Sequence, residues 1–306
     1  MSRIALLIPC YNEQATIAAV IEDFRRAAPE AAIHVFDNNS FDDSADLARA
    51  AGANVHRVPL QGKGEVVRAM FREIDADIYV MVDGDSTYPA DRIRDLIAPV
   101  AEGRADMVVG TRLKQYGSES FRPLHMFGNN LVLHAINAFF KARLTDVMSG
   151  YRAFSRRFVK TMPVLSHGFE IETEMTLHAL EHRLAVVEVG VAYGTRPEGS
   201  ESKLHTFRDG YRVLRTIAHL YKHYRPMAFF GLVGLALVSL SAAAGVLVTI
   251  EFLEQGHVVG VARAVLAVAC GIVGMLSFAT GAILDTVNRR ARELYVLLCD
   301  QVVDRR

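Results

Sequence analysis

The chain predicts an α/β domain built on a doubly wound parallel sheet, followed by two helices of membrane-crossing length. Three observations carry that expectation. Short apolar runs alternate with helical patterns along the N-terminal two thirds. The runs end in polar, acidic or glycine-rich loops. Near the C-terminus, Met227 to Ile250 and Ala264 to Leu284 contain no charged residue.

The elements follow in order. Ile4-Ala5-Leu6-Leu7-Ile8 is continuously apolar, as parallel strands covered on both faces are. It ends in Pro9-Cys10-Tyr11-Asn12-Glu13. A helix is predicted from about Gln14, with Ile17, Val20, Ile21 and Phe24 at helical spacing. Ala32 to Phe36 is a second strand. It ends in Asp37-Asn38-Asn39-Ser40-Phe41-Asp42-Asp43-Ser44, and a helix follows through Leu47 and Ala50. Gln61-Gly62-Lys63-Gly64 opens a third helix, through Val67, Met70 and Phe71. Ile78 to Val82 leads directly into Asp83-Gly84-Asp85, and Met107 to Gly110 is a further strand ending near Arg112. This is the βαβ rhythm of an open sheet, which binds ligands beyond the C-terminal ends of its strands.

The loops suggest chemistry. Asp83 and Asp85 at a strand end suit a hard divalent cation shared with phosphate oxygens. Alone, such a pair is a weak signal and reads more readily as a solvated turn. Glu13 has a second reading too, as an acid favoured by a helix N-terminal dipole. Lys63 lies between two glycines, which permit close backbone approach.

Pro9-Cys10-Tyr11-Asn12-Glu13, Asp37 with Ser40 and Asp43, Gly62-Lys63-Gly64 and Asp83-Gly84-Asp85 together resemble the GT-A family 2 glycosyltransferases. Asp146-Val147-Met148-Ser149-Gly150-Tyr151-Arg152-Ala153-Phe154-Ser155-Arg156 and Glu201-Ser202-Lys203-Leu204 narrow the resemblance to the dolichyl- and polyprenyl-phosphate sugar synthases. The resemblance implies a GT-A domain over residues 1–205, with Pro9, Tyr11 and Glu13 on base and ribose, Asp37 on the base, and Lys63 on base or diphosphate. It implies Mg²⁺ or Mn²⁺ as cofactor, bound by Asp85 directly, with Asp83 sharing the ion or nearer the ribose. Thr87 stands where the group often has a glutamine, leaving Ser86 or water as a third ligand. Arg112, Arg152, Arg196 and Lys203 are the candidates for binding phosphates, because arginine suits bidentate phosphate contact. In place of a further arginine near Met126 the chain offers Arg122 and His125. Asp146 is a candidate catalytic residue, as a base for a hydroxyl acceptor or as a partner for the sugar or Arg152. Glu170, Glu172 and Glu174 alternate, which would align them on a strand and spread them on a helix. Glu170 or Glu174 would bind sugar hydroxyls or hold Arg152, with Glu172 equally suited to a solvated face.

The rest of the chain bears on location. Formal net charge is zero, so no global field points to nucleic acid. Phe207, Tyr211, Leu214, Ala218 and Tyr221 form an apolar stripe beside a basic one of Arg208, Arg212, Arg215, His219 and Lys222. Residues 206–226 therefore predict an amphipathic helix in the membrane interface. Residues 227–286 hold two spans, about 227–250 and 264–284, each long enough for a ~30 Å hydrocarbon core. Arg289, Arg290 and Arg292 follow the second span, while Glu251 and Glu254 mark the connecting loop. The positive-inside rule then sets the catalytic domain and both ends in the cytoplasm, at a bacterial inner membrane. Residues 287–306 predict a cytoplasmic helix with Leu294, Val296, Leu297 and Val302 available for packing, including against a second copy. No N-terminal targeting segment is read. Cys10, Cys270 and Cys299 show no metal spacing, and Cys10 reads as a small buried residue.

The expected activity is transfer of a hexose-type sugar from a UDP- or GDP-sugar to polyprenyl phosphate, with inversion. Two rivals are a family 2 transferase with a saccharide or diacylglycerol acceptor, and a catalytically silent membrane scaffold. A processive polysaccharide synthase is disfavoured, because two spans offer little for a channel and the chain has no tryptophan.

Overall fold

The computed structural model describes residues 2–112, 123–168, 170–194, 222, 225–258 and 260–303. Seven strands form one sheet: β1 (Ile4–Cys10), β2 (Ala31–Asp37), β3 (Asn54–Arg57), β4 (Ile78–Met81), β5 (Met107–Arg112), β6 (Arg152–Ser155) and β7 (Val186–Val191). Their order is β3-β2-β1-β4-β6-β5-β7. Helices α1 (Ile17–Ala27), α2 (Ser44–Ala50), α3 (Lys63–Glu73) and α4 (Ile93–Ala101) follow β1 to β4, with α5 (Pro123–Phe140), α6 (Arg156–Thr161) and α7 (Ile171–Glu181) beyond.

The sheet is mixed, within the expected doubly wound GT-A architecture. β6 runs antiparallel to both β4 and β5, inserting between strands adjacent in sequence order. β3, β6 and β7 leave a weaker strand pattern in the sequence: β3 and β6 are four residues each, and β7 lacks the fully buried run of the central strands.

β1 shows why the central strands read as continuously apolar. Leu6 and Ile8 join Phe24, Ile93 and Leu96 on the α1/α4 face. Leu7 joins Met70, Phe71 and Phe158 on the α3/α6 face. Each face carries its own core, so neither side of the strand meets water. Register then builds the site. Cys10 pairs with Asp37 and Leu7 with Met81, so the loops after β1, β2 and β4 leave the sheet along one edge.

The remaining helices, as far as Leu298, belong to a second compact unit. α8 (Pro226–Gln255) and α9 (Val261–Val303) are both long and apolar enough to cross a membrane. α8 closes at Gly256, whose φ of 75° is the left-handed conformation that suits a C-terminal cap. Small residues bring the helices together: a Cβ on Gly234 would lie 2.8 Å from Gly274 O, and Ser241 Oγ donates to Ala267 O at 2.7 Å. Close backbone approach of this kind drives helix pairing in lipid. Outward residues such as Leu232 (65% exposed) and Leu276 (60%) leave the pair apolar on its outside, which is unlike the interior helices of a water-soluble core. The C-terminal tail is not a separate helix. α9 runs unbroken into it as far as Val303, with an Asp285–Arg289 ion pair spanning the expected boundary and Arg290–Glu293 just beyond it. Apart from Lys222, Arg225 and Pro226, the expected interfacial helix falls outside the described residues.

Candidate active site

The loops after β1 and β2 are bolted together. Asn12 N–H donates to Ser40 Oγ (3.0 Å), Glu13 N–H to Ser44 Oγ (2.8 Å), and Phe41 N–H to Asn12 Oδ1 (3.0 Å). Asp37 is buried and accepts from Ser40 N–H at 3.2 Å. Pro9, Tyr11, Glu13 and Asp37 thus share one edge, with Tyr11 edge-on to Phe41 at 6.2 Å. Glu13 precedes the first turn of α1, which begins at Ile17. Asn38, which the sequence did not single out, ties the next loop in. Its Oδ1 accepts from Gly62 N–H (2.7 Å), and its Nδ2 donates to Leu60 O (2.6 Å).

Asp83 and Asp85 leave β4 into this edge. Thr16 Oγ1 donates to Gly84 O at 2.7 Å. Asp85 is 4% exposed, and its Oδ1 accepts from Thr87 Oγ1 (2.6 Å) and Thr87 N–H (3.2 Å). Thr87 therefore helps to aim Asp85. Ser86 between them has φ of 59°, a left-handed conformation uncommon for a residue with a Cβ. On Asp83, Oδ1 takes Lys63 Nζ at 2.6 Å, and Oδ2 lies where a Cβ on Gly150 would come within 2.2 Å. Gly150 is thus required by the Asp83 carboxylate.

Lys63 is placed by its neighbouring glycines, but not as expected. A Cβ on Gly62 would lie 2.1 Å from His167 O, and one on Gly64 2.0 Å from Ser166 O. Both glycines serve a close approach to the protein's own backbone. Lys63 Nζ bridges Asp83 Oδ1 and Glu172 Oε1, the latter at 2.5 Å. Burial opposes its charge, but the two carboxylates outweigh it and hold its pKa above the ordinary lysine value. The three glutamates lie at the start of a helix, so their alternation does not align them. Glu172 turns inward to Lys63. Glu174 accepts the N–H groups of Leu165 and Ser166, both at 2.8 Å. Glu170 is exposed and does not hold Arg152.

Two expected roles change. Arg152, expected against a phosphate, is fully buried. Its guanidinium donates to Ser149 O (2.8 Å), Val147 O (2.8 Å) and Thr176 Oγ1 (2.9 Å). It fixes the 146–150 loop from inside, and burial pulls its pKa below the ordinary arginine value. Asp146, read as a base for a hydroxyl acceptor or as a partner for the sugar or Arg152, instead has its lone pairs occupied by Arg112 and Met148. Oδ2 accepts from Arg112 Nε (2.8 Å) and N–H (3.3 Å), and Oδ1 from Arg112 Nη2 (3.0 Å) and Met148 N–H (2.9 Å). A carboxylate offers about four acceptor sites. Burial works against its charge, and Arg112 outweighs that, holding its pKa below the ordinary aspartate value. Glu188 secures the same loop, accepting from Thr145 N–H (2.8 Å) and Asp146 N–H (3.1 Å). Arg112 also lies over the Tyr193 ring at 5.6 Å. Arg196, Lys203 and Arg122 lie outside the described residues, as does the side chain of His125.

The donor set suits a divalent cation of the magnesium type. Asp83 and Asp85 supply hard oxygens, and the missing Gly150 side chain leaves room beside one of them. Among the described residues no three His, Cys, Asp or Glu side chains group to hold a metal. The protein therefore offers a partial shell of the sort completed by phosphate and water.

Comparisons with known proteins agree with this architecture. The model of the family described as glycosyl transferase family 2 matches residues 5–162. The chain is 34% identical over 253 residues to glycosyltransferase AglJ of Haloferax volcanii, covering 82% of this chain and 83% of that one. It is 27% identical over 221 residues to the undecaprenyl-phosphate mannosyltransferase of Micrococcus luteus, covering 66% and 87%. Glucosyl-3-phosphoglycerate synthase of Mycobacterium tuberculosis, solved with Mn²⁺, UDP-glucose and phosphoglyceric acid, superimposes with a TM-score of 0.56 at 23% identity over 72% of this chain and 79% of that one. The chain therefore belongs to the family 2 glycosyltransferases and carries their GT-A fold, with relatives among the polyprenyl-phosphate sugar transferases.

Proposed function

We propose that this glycosyltransferase moves a hexose-type sugar from a UDP- or GDP-sugar to polyprenyl phosphate at a membrane surface. The observation that carries the acceptor class is Asp146. A hydroxyl acceptor must lose a proton in the transition state and needs a positioned base, yet this carboxylate is spent on Arg112 and Met148. A phosphate monoester has its second pKa near ~6 and is already dianionic at neutral pH. It needs positioning by cations instead. The name of the Micrococcus luteus relative and the apolar helix pair support the same reading.

In this reading Pro9, Tyr11, Glu13 and Asp37 receive the nucleoside, and Asp83 and Asp85 would hold Mg²⁺ or Mn²⁺. The cation supplies Lewis-acid neutralisation of the leaving diphosphate. Arg112, set by Asp146, joins Arg196 and Lys203 in orienting the acceptor phosphate. A phosphate oxygen attacks the anomeric carbon in line, the bond from that carbon to the diphosphate oxygen breaks, and the nucleoside diphosphate leaves with the electron pair. The configuration inverts. Arg152 is left out of this set and acts by holding the 146–150 loop.

The test is transfer from radiolabelled UDP- and GDP-sugars to undecaprenyl phosphate in detergent, with Mg²⁺ or Mn²⁺. A labelled lipid is expected from one donor. It should vanish in Asp85→Ala and persist, at reduced rate, in folded Asp146→Asn. Transfer only to a sugar or diacylglycerol hydroxyl, abolished in Asp146→Asn, would overturn the phosphate acceptor.

A further inference from the structure

Lys63 is caught between two acids, and only one belongs to the Asp-Gly-Asp turn. Asp83 Oδ1 lies 2.6 Å from Nζ and Glu172 Oε1 lies 2.5 Å from it. The Glu172 side chain is 6% exposed and that of Lys63 11%. Burying a second carboxylate here costs desolvation that an apolar residue would avoid. The anchoring of α3 does not require it. Asn38 holds Gly62 N–H, Gly64 N–H donates to His167 O at 3.1 Å, and Glu65 takes His167 Nδ1 at 2.5 Å. With three other ties at the start of the helix, Glu172 is redundant as a tether.

Charge gives it a purpose. Lys63 paired with Asp83 alone would sum to zero, +1 with −1. With Glu172 the trio sums to +1 − 1 − 1 = −1. An ammonium divided between two carboxylates also withdraws less charge from each. We propose that Glu172 is a positioning residue of the donor site: by sharing Lys63, it keeps Asp83 negative enough to help bind a divalent cation together with a nucleoside diphosphate. The inference rests on the donor reading given above.

The test titrates UDP and GDP onto the full-length protein in detergent by calorimetry, at increasing Mn²⁺. In Glu172→Gln the half-saturating Mn²⁺ concentration is expected to rise about tenfold, the change that corresponds to ~1.4 kcal/mol. In Glu172→Asp, which keeps the charge, it should stay within about threefold of wild type. A tether would behave in the opposite way, because glutamine still reaches Lys63 as an acceptor and aspartate is shorter. An unchanged Mn²⁺ requirement in Glu172→Gln, or a larger rise in Glu172→Asp than in Glu172→Gln, overturns the proposal. Should Glu172→Gln fail to fold, folded Glu172→Asp decides: a rise of about tenfold sinks the idea, and one within about threefold supports it. Nucleotide binding by the wild type that ignores Mn²⁺ would overturn the donor reading itself, a result distinguishable because no variant is needed to see it.

Discussion

At the residue scale, the Arg112–Asp146 pair is the most exacting feature. Both side chains are largely withdrawn from water, 16% and 11% exposed, and breaking such a pair leaves a charge without its partner. Asp146→Asn is expected to cost about 3 kcal/mol, the order seen when one member of a buried pair is removed. The pH dependence follows from the depressed folded pKa of Asp146. Its contribution is fully present above the unfolded value near ~3.9 and is lost as pH falls through the lower folded value. Urea denaturation of both forms should show a stability gap at neutral pH that closes as the pH drops below ~4. Cys10 makes a simpler case. Burial pushes its thiol up to about 12, and it is 2% exposed. Iodoacetamide at pH near ~8, the ordinary thiol range, should leave Cys10 unmodified in the folded protein and label it after unfolding. Labelling of native Cys10 at the unfolded rate would contradict its placement in the core.

At the element scale, the start of α3 is where backbone meets backbone. Gly64 is pressed on Ser166 O, and Gly62 has φ of 136° as well as its contact with His167 O. Gly64→Ala should therefore force a shift of α3 away from the 166–167 loop. The expected cost is about 1–3 kcal/mol, as for overpacking elsewhere, with Lys63 drawn off the Asp83–Glu172 bridge. Denaturant melts would read the first effect and metal-dependent nucleotide binding the second. A variant as stable as wild type would mean that the loop yields freely. The expectation that these glycines serve a ligand was reasonable from the sequence, since any close approach selects glycine. The partner is decided by a loop about a hundred residues away, which no local pattern reveals. The same is true of Glu172: alternation with Glu170 and Glu174 carries no information about which of them faces Lys63 until α7 is docked.

At the scale of the whole molecule, the prediction concerns the turn between α8 and α9. Glu251 and Arg263 pair across the two helix ends at 3.0 Å, and His257 is exposed in the turn. If the arginines after the second span remain cytoplasmic, the turn faces outward. His257→Cys, in a chain lacking its three native cysteines, should react with a membrane-impermeant maleimide applied to intact spheroplasts. Labelling only after lysis would reverse the orientation. The residues by themselves determined the alternation of strand and helix, the polar loops gathered at one edge of the sheet and the two apolar helices. Each of these is written in local pattern: strands covered on both faces must be apolar throughout, and a stretch long enough to cross a hydrocarbon core must lack charge over that length. Tertiary structure alone decided that β6 runs antiparallel between β4 and β5, that Arg152 faces inward and that Asp146 is spent on Arg112. It also revealed the supporting residues Asn38, Thr87, Glu172 and Glu188. Arginine bound to buried carbonyls and arginine bound to phosphate are the same letter in a sequence. The difference lies in desolvation and in which partners the packed chain brings within hydrogen-bonding distance, and those are set by contacts between segments far apart along it.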